Sequence, residues 1–424
     1  MYLTRRPNDL TDQLKKRRHH MDTKKEMLHG GKLARHQGGK ISRTRRLLSG
    51  LAVSTVLLTG LWSCSSDDPS PVVTVMGDSL SDVGSFGFKA TIQDAANPRG
   101  YPLWTQLIAN VYGADGTAQC SYFLATTNGS FNPNPNVSCS NFAIGGGRVV
   151  AGASLGGPTS PLTIGTQMAR RAALGSFSPN ELVLVDGGGN DVADLVGVYL
   201  GAAGSQTGQS AYQQFLAQQL DNTTIATLLV QSNGPALAAG AYMQKLADTF
   251  FGQISAQLLE KGAQRIVILN VPDITLTPRF KAVLLGVTAQ AGPAAAQQLQ
   301  GAIRQWVAAF NMQLAARAAA EPRILVVDFN GTFSDIVQNF NNTKYALTNA
   351  TDSSCPIVGL GSDGLPSYDF PKCTSQALDT TPGKQAGWWK TYLFSDGFHP
   401  SPRGHELMAQ AVRERMDAKG WTNR

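Results

Sequence analysis

Three residues far apart in the sequence could together activate an oxygen nucleophile: Ser79, His399 and Asp396. A serine hydroxyl is a poor nucleophile near neutral pH. It needs an imidazole to take its proton and a carboxylate to fix the ring's tautomer and stabilise the imidazolium. Histidine is scarce here. Of six in the chain, His19, His20, His29 and His36 lie in a basic leader, which leaves His399 and His405 as the bases available to Ser79. His399 stands in a loop, in Ser395-Asp396-Gly397-Phe398-His399-Pro400, three residues after a carboxylate that can reach its ring through a tight turn. His405 falls on a helical pattern, where a partly exposed structural role is expected. Asp328, at the end of a strand, is the competing carboxylate.

Charge that develops on a carbonyl oxygen under attack must meet hydrogen-bond donors. The backbone amides of Ser79 and Gly145 and the side-chain amide of Asn190 are available at the ends of separate strands or turns. Gly145, Gly146 and Gly147 are consecutive, so the donor's register is open by one residue. Gly152-Ala153-Ser154-Leu155-Gly156 matches a nucleophile-elbow pattern, but that motif needs a strand before it and a helix after it. Here Gly157-Pro158 follows, and Ser154 reads as a loop serine.

Elements that could position these groups are visible in the pattern. Pro71 to Met76 is dense in β-branched residues and ends at Gly77, which predicts a short buried strand presenting Asp78 and Ser79 at its carboxyl edge. Ligands bind at that edge of open parallel sheets, although an ordinary turn fits Gly-Asp-Ser as well. Glu181 to Asp191 repeats the theme, with a helix expected just past Asn190. Further strands are expected at Arg265–Val271 and Arg323–Phe329. Between them Met243, Leu246, Phe250, Ile254 and Leu258, then Leu299, Ile303, Trp306, Phe310 and Leu314, mark helices. Ser401-Pro402 starts a final helix. Such alternation calls for a parallel sheet covered on both faces. Residues 201–240 carry no strong pattern and read, with 275–295, as insertions that would build the substrate pocket.

Gly77-Asp78-Ser79-Leu80-Ser81-Asp82, Asn141-Phe142-Ala143-Ile144-Gly145-Gly146, Gly188-Gly189-Asn190-Asp191 and Asp396-Gly397-Phe398-His399-Pro400 resemble, in order, the four sequence blocks of the GDSL (SGNH) hydrolases. The resemblance spans roughly residues 72–416. It implies an α/β fold, a three-layer α/β/α sandwich with a central mostly parallel, flavodoxin-like sheet, and ester hydrolysis through an acyl-enzyme. It makes Ser79 the nucleophile and first oxyanion donor, Gly145 and Asn190 the other donors, His399 the base and Asp396 its orienter. Val83 and Ser85 stand where bacterial members often have Thr and Asn. No metal or organic cofactor is implied. The acidic run Asp186, Asp191 and Asp194 reads as a solvated turn and a helix amino terminus.

The chain has 424 residues and a formal charge of +7, but residues 1–48 hold 14 Lys+Arg against 4 Asp+Glu, and the remainder is slightly acidic at −3. A nucleic-acid surface is therefore not expected. Arg43, Arg45 and Arg46 before the apolar stretch Leu47–Trp62 have the order of an export signal. Leu61-Trp62-Ser63-Cys64 resembles a lipoprotein signal lipidated at Cys64, with Trp62 departing from the pattern. Plain secretory cleavage, an uncleaved anchor and a true start at Met27 are the alternatives. The expected organisation is a leader over 1–64, a tether over 65–71 and a hydrolase domain over 72–424. The mature protein is expected in the periplasm, at the outer membrane through a lipid anchor, or secreted. Cys120–Cys139 and Cys355–Cys373 are the simplest disulfide pairs, each contributing about 3 kcal/mol. Tethering mildly favours lipid esters. Carbohydrate acetyl esters, thioesters and phospholipids use the same apparatus, and a non-catalytic surface binder is the competing class. The oligomeric state stays open.

Overall fold

The central strands are near-continuous apolar runs because both of their faces are covered. In the computed structural model, which describes residues 71–97 and 99–422, β1 (Val72–Met76), β4 (Glu181–Val185), β5 (Arg265–Leu269) and β6 (Ile324–Val327) form one parallel sheet in the order β1-β4-β5-β6. Alternate residues leave opposite faces. Val183, Val185, Ile266 and Ile268 enter one core; Leu182, Leu184, Val267 and Leu269 enter the other. The second core is closed by α1 (Trp104–Tyr112), α9 (Phe329–Gln338) and α11 (Pro402–Ala418). The first is closed by α2 (Ile164–Ala172), α3 (Gly189–Ala202), α4 (Gln206–Leu216), α5 (Asn222–Leu229), α6 (Gly234–Ile254) and α8 (Pro293–Ala318), with α7 (Pro278–Ala291) packed at the margin. The fold is α/β, helices on both faces of a parallel sheet.

Small elements frame the ligand edge. They are the hairpin β2 (Phe123–Ala125) and β3 (Phe131–Pro133), the hairpin β8 (Gly359–Leu360) and β9 (Pro366–Ser367), the short helix α10 (Ser375–Asp379), and a parallel pair, β7 (Asn349–Ser353) with β10 (Tyr392–Phe394). Cys120–Cys139 and Cys355–Cys373 are both disulfides, closing segments of 19 and 18 residues, as an oxidising compartment permits.

Residues 201–240 are not a patternless insertion. They form α4, α5 and the start of α6, with Ser205 and Asp221 as side-chain caps. Helix α3 begins at Gly189, which puts Asn190 inside its first turn. The expected leader, Cys64 and the tether lie outside the described residues, save Pro71. Among the described residues no helix is long and apolar enough to cross a membrane.

Candidate active site

Strand β1 ends at Met76, and the chain turns sharply through Gly77-Asp78-Ser79, with Ser81 and Asp82 N–H returning to Asp78 O. Gln167 of α2 grips the Gly77 peptide from both sides: its Oε1 accepts from Gly77 N–H at 2.8 Å and its Nε2 donates to Gly77 O at 3.0 Å. Asn141 lies along the outer edge of β1 in a parallel bridge to Val75, and Phe142 N–H donates to Val75 O at 2.7 Å. The sheet thus carries the glycine turn at 145–147 to the same edge as Ser79. The β4-to-α3 turn brings Asn190 there, and the segment between β10 and α11 brings Asp396 and His399.

His399 Nε2 lies 2.7 Å from Ser79 Oγ, and His399 Nδ1 lies 2.9 Å from Asp396 Oδ2. The other oxygen of Asp396 accepts the backbone N–H of Phe398 at 2.8 Å and of His399 at 2.6 Å. Burial alone would raise the Asp396 carboxyl, but the His399 imidazolium and these hydrogen bonds outweigh it and hold the group below its ordinary range. Burial would likewise lower His399; the Asp396 charge and hydrogen bond overcome it and raise the ring's pKa above its ordinary value. In the Nδ1–H tautomer, Nε2 can accept the Ser79 proton.

Asp328 has different partners. Its side chain caps α9 through Gly331 N–H and accepts from Asn270 Nδ2 at 3.0 Å. His405 is fully buried rather than partly exposed. Its Nδ1 accepts from Trp104 N–H at 3.4 Å, where α11 packs on α1, and burial lowers its pKa to about 3. Ser154 sits exposed on a single 3₁₀ turn with no strand before it.

The expected donors divide differently. Ser79 N–H has no acceptor among the described residues. Asn190 Nδ2 donates to Gly147 O at 2.9 Å and faces Asp78 Oδ2 at 3.4 Å. Gly145, however, donates its N–H to Asp82 Oδ2 at 2.8 Å, and Gly147 donates to Ile144 O at 2.9 Å. Gly146 is the residue of this turn whose amide has no acceptor among the described residues, and its φ of +80° is one that glycine adopts without strain. Asp82 thus occupies the amide of Gly145 and leaves that of Gly146 open, the two residues between which the register stood.

Of the acidic run, Asp191 does lie in the first turn of α3 and Asp194 is partly exposed, but Asp186 and Asp191 are not solvated. Asp186 and Asp191 are both 2% exposed. Asp191 accepts the N–H groups of Val149 and Val150, and burial pushes its pKa up to about 7. Asp194 pairs with Arg148 at 2.5 Å. Asp186 lies directly beneath the Ser79 turn, accepting from Ser81 Oγ and, at 3.4 Å, from Asp78 N–H. Burial pushes Asp78 and Asp186 up together, and the Asp78 charge raises Asp186 further. A Cβ on Gly77 would lie 2.0 Å from Asp186 Oδ1, so only glycine fits over this carboxylate. The sequence reading missed the supports given by Gln167, Asp186 and Asp82, since nothing local to them marks a contact made across the sheet edge.

Ser79, Asn190, Gly146, Asp396 and His399 open onto a cleft of about 460 Å³. Arg279, at the start of α7, lines it. None of residues 201–240 does, contrary to the expected role of that insertion.

Among solved structures the chain is similar to the lipase Lip_vut3 from a goat rumen metagenome, at 15% identity over 83% of this chain and 98% of that one, with a TM-score of 0.34. It is also similar to an extracellular lipase from Streptomyces rimosus, at 16% identity over 82% and 100%, with a TM-score of 0.34. No curated protein matches. The model of the family described as GDSL-like Lipase/Acylhydrolase matches residues 73–412, most of the chain including every residue of the cleft discussed above, and the chain belongs to that family.

Proposed function

We propose that the protein is a serine hydrolase that cleaves carboxylic esters through an acyl-enzyme on Ser79. The observation that carries this reading is the unbroken hydrogen-bond chain Ser79–His399–Asp396, at 2.7 and 2.9 Å. His399 Nε2 takes the Ser79 proton as Oγ attacks the ester carbonyl, and Asp396 holds the ring's tautomer and stabilises the imidazolium. Ser79 N–H, Gly146 N–H and the Asn190 Nδ2–H that is only loosely held, by Asp78 Oδ2 at 3.4 Å, stabilise the developing oxyanion. The intermediate collapses, His399 gives its proton to the departing alkoxide, and the acyl group stays on Oγ. Water, deprotonated by His399, then attacks the acyl carbon and releases the acid.

We place this chemistry in a domain spanning 72–424, preceded by an export leader over 1–64 and a tether over 65–71, with Cys64 as the point of lipid attachment at a membrane surface. The two disulfides and the order of the leader support export. Hydrolysis of p-nitrophenyl esters from acetate to palmitate by the purified protein, with Ser79→Ala as control, tests the reading. Turnover that vanishes in the variant supports it, and folded wild-type protein that cleaves no ester overturns it.

A further inference from the structure

Resting on the hydrolase reading above, we propose that the cleft is built for esters whose alcohol half is a carbohydrate. The large apolar side chains of its lining are all aromatic, Phe86, Phe88, Tyr368, Phe370 and Phe398; only Ala90, Ala193 and Pro366 join them, with no Leu, Ile, Val or Met. All five rings are partly exposed or exposed, and Phe86, Phe88 and Phe370 run as a strip up to His399, with Phe398 on its other contact. Phe86 and Phe88 centroids are 6.4 Å apart, Phe88 stacks with Phe370 at 6.0 Å, and Phe370 meets the His399 ring edge-on at 5.5 Å. A pyranose presents a face of polarised C–H bonds, which matches the negative face of an aromatic ring. His399 delivers its proton to the departing alkoxide, and Phe370 and Phe398 both pack on His399. The strip therefore flanks the side from which the alcohol leaves.

The polar part of the lining fits the same ligand. Arg148 is held by Asp194, and Arg279 by Asp363. Within the lining, Arg148 and Asp194 offer donors and acceptors side by side without net charge, which suits neutral hydroxyls. An alkyl chain laid over Arg148 and Asp194 would remove water from them and return no hydrogen bond. Among the described residues the cleft does not continue into a deep apolar tunnel behind Phe398. Beyond Phe398 lies an apolar void of about 50 Å³, room for only a few water-sized groups. The exposed aliphatics Ile357, Val358 and Leu360, on and beside the β8–β9 hairpin, do not line the cleft.

The test compares kcat/KM for acetate release from xylose tetraacetate and from the ring-free ester glycerol triacetate. It uses the full chain, Phe88→Leu, Phe86→Leu as a second variant should the first not fold, and Ser79→Ala as the blank. Leucine keeps apolar bulk and removes the ring. Wild type is expected to favour the sugar ester at least tenfold, and a folded Leu variant to lower that ratio about three- to tenfold, through KM. A wild-type preference for the ring-free ester, or a ratio that a folded Leu variant leaves unchanged, overturns this proposal alone. Absence of Ser79-dependent hydrolysis of either ester overturns the hydrolase reading with it.

Discussion

Replacing Asp396 by Asn separates the carboxylate's charge from its geometry. Asp396 Oδ1 accepts two backbone amides, at 2.8 and 2.6 Å, and Oδ2 faces His399 Nδ1 at 2.9 Å. An asparagine keeps its carbonyl oxygen on the two amides, which turns its NH₂ toward Nδ1. Two N–H groups cannot face each other, so the ring moves its proton to Nε2, and Nε2 can no longer accept from Ser79. Stabilisation of the imidazolium is lost as well. The expected fall in kcat is about 10³–10⁴-fold, or about 4–5.5 kcal/mol of barrier. Folding should survive with a modest loss at neutral pH. A carboxylate held below its ordinary range adds stability that is present above its unfolded pKa and lost as pH falls through the folded one. The assay is steady-state p-nitrophenyl acetate hydrolysis beside a thermal melt, with Asp328→Asn as comparison. Asparagine caps a helix about as well as aspartate, so that change leaves the α9 cap nearly intact and turnover within twofold. More than a tenth of wild-type turnover in Asp396→Asn, or a larger loss in Asp328→Asn, would refute the reasoning.

Asn190→Ala should lower kcat by about 10²–10³-fold with little change in melting temperature, as removal of one oxyanion donor does; a loss of only a fewfold removes Asn190 from that role. His405 makes a pH-dependent contribution to stability. Its folded pKa, about 3, lies below the unfolded value near 6.5, so below pH 6.5 the unfolded chain binds a proton that the native state does not. Stability from this group is present above pH 6.5 and falls by about 1.4 kcal/mol per pH unit on acidification towards 3. His405→Asn retains an acceptor for Trp104 N–H and does not titrate. Urea unfolding should show the wild-type-minus-variant stability dropping by about 2 kcal/mol between pH 6.5 and 4.5, and a pH-independent difference contradicts the assignment.

The strands and long apolar-striped helices were legible because both faces of the sheet and one face of each helix are buried, which leaves continuous runs in one case and a 3.6 period in the other. Helices α4 and α5 were not. Their Gln, Ser, Thr and Ala residues give weak contrast, and the caps Ser205 and Asp221 were the signal available. The separation of Ser79 from His399 by 320 positions hides their contact from any local pattern. It was reached through the scarcity of histidine and the family resemblance. Where the reading failed, the missing information was three-dimensional. Asp82 holds the amide of Gly145 and leaves that of Gly146 open, a choice between the two that the sequence could not make. Asp186 is buried beneath Gly77, and His405 is sealed against Trp104. No spacing rule distinguishes a solvated aspartate from one covered by a distant strand.

Trapping of the covalent intermediate tests the central claim most directly. Wild-type protein mixed with p-nitrophenyl acetate and quenched in acid within the first turnovers should carry one acetyl group on the peptide that holds Ser79, and the adduct should be absent from Ser79→Ala. An acetyl group on a different residue, or turnover at the wild-type rate by Ser79→Ala, would contradict the account.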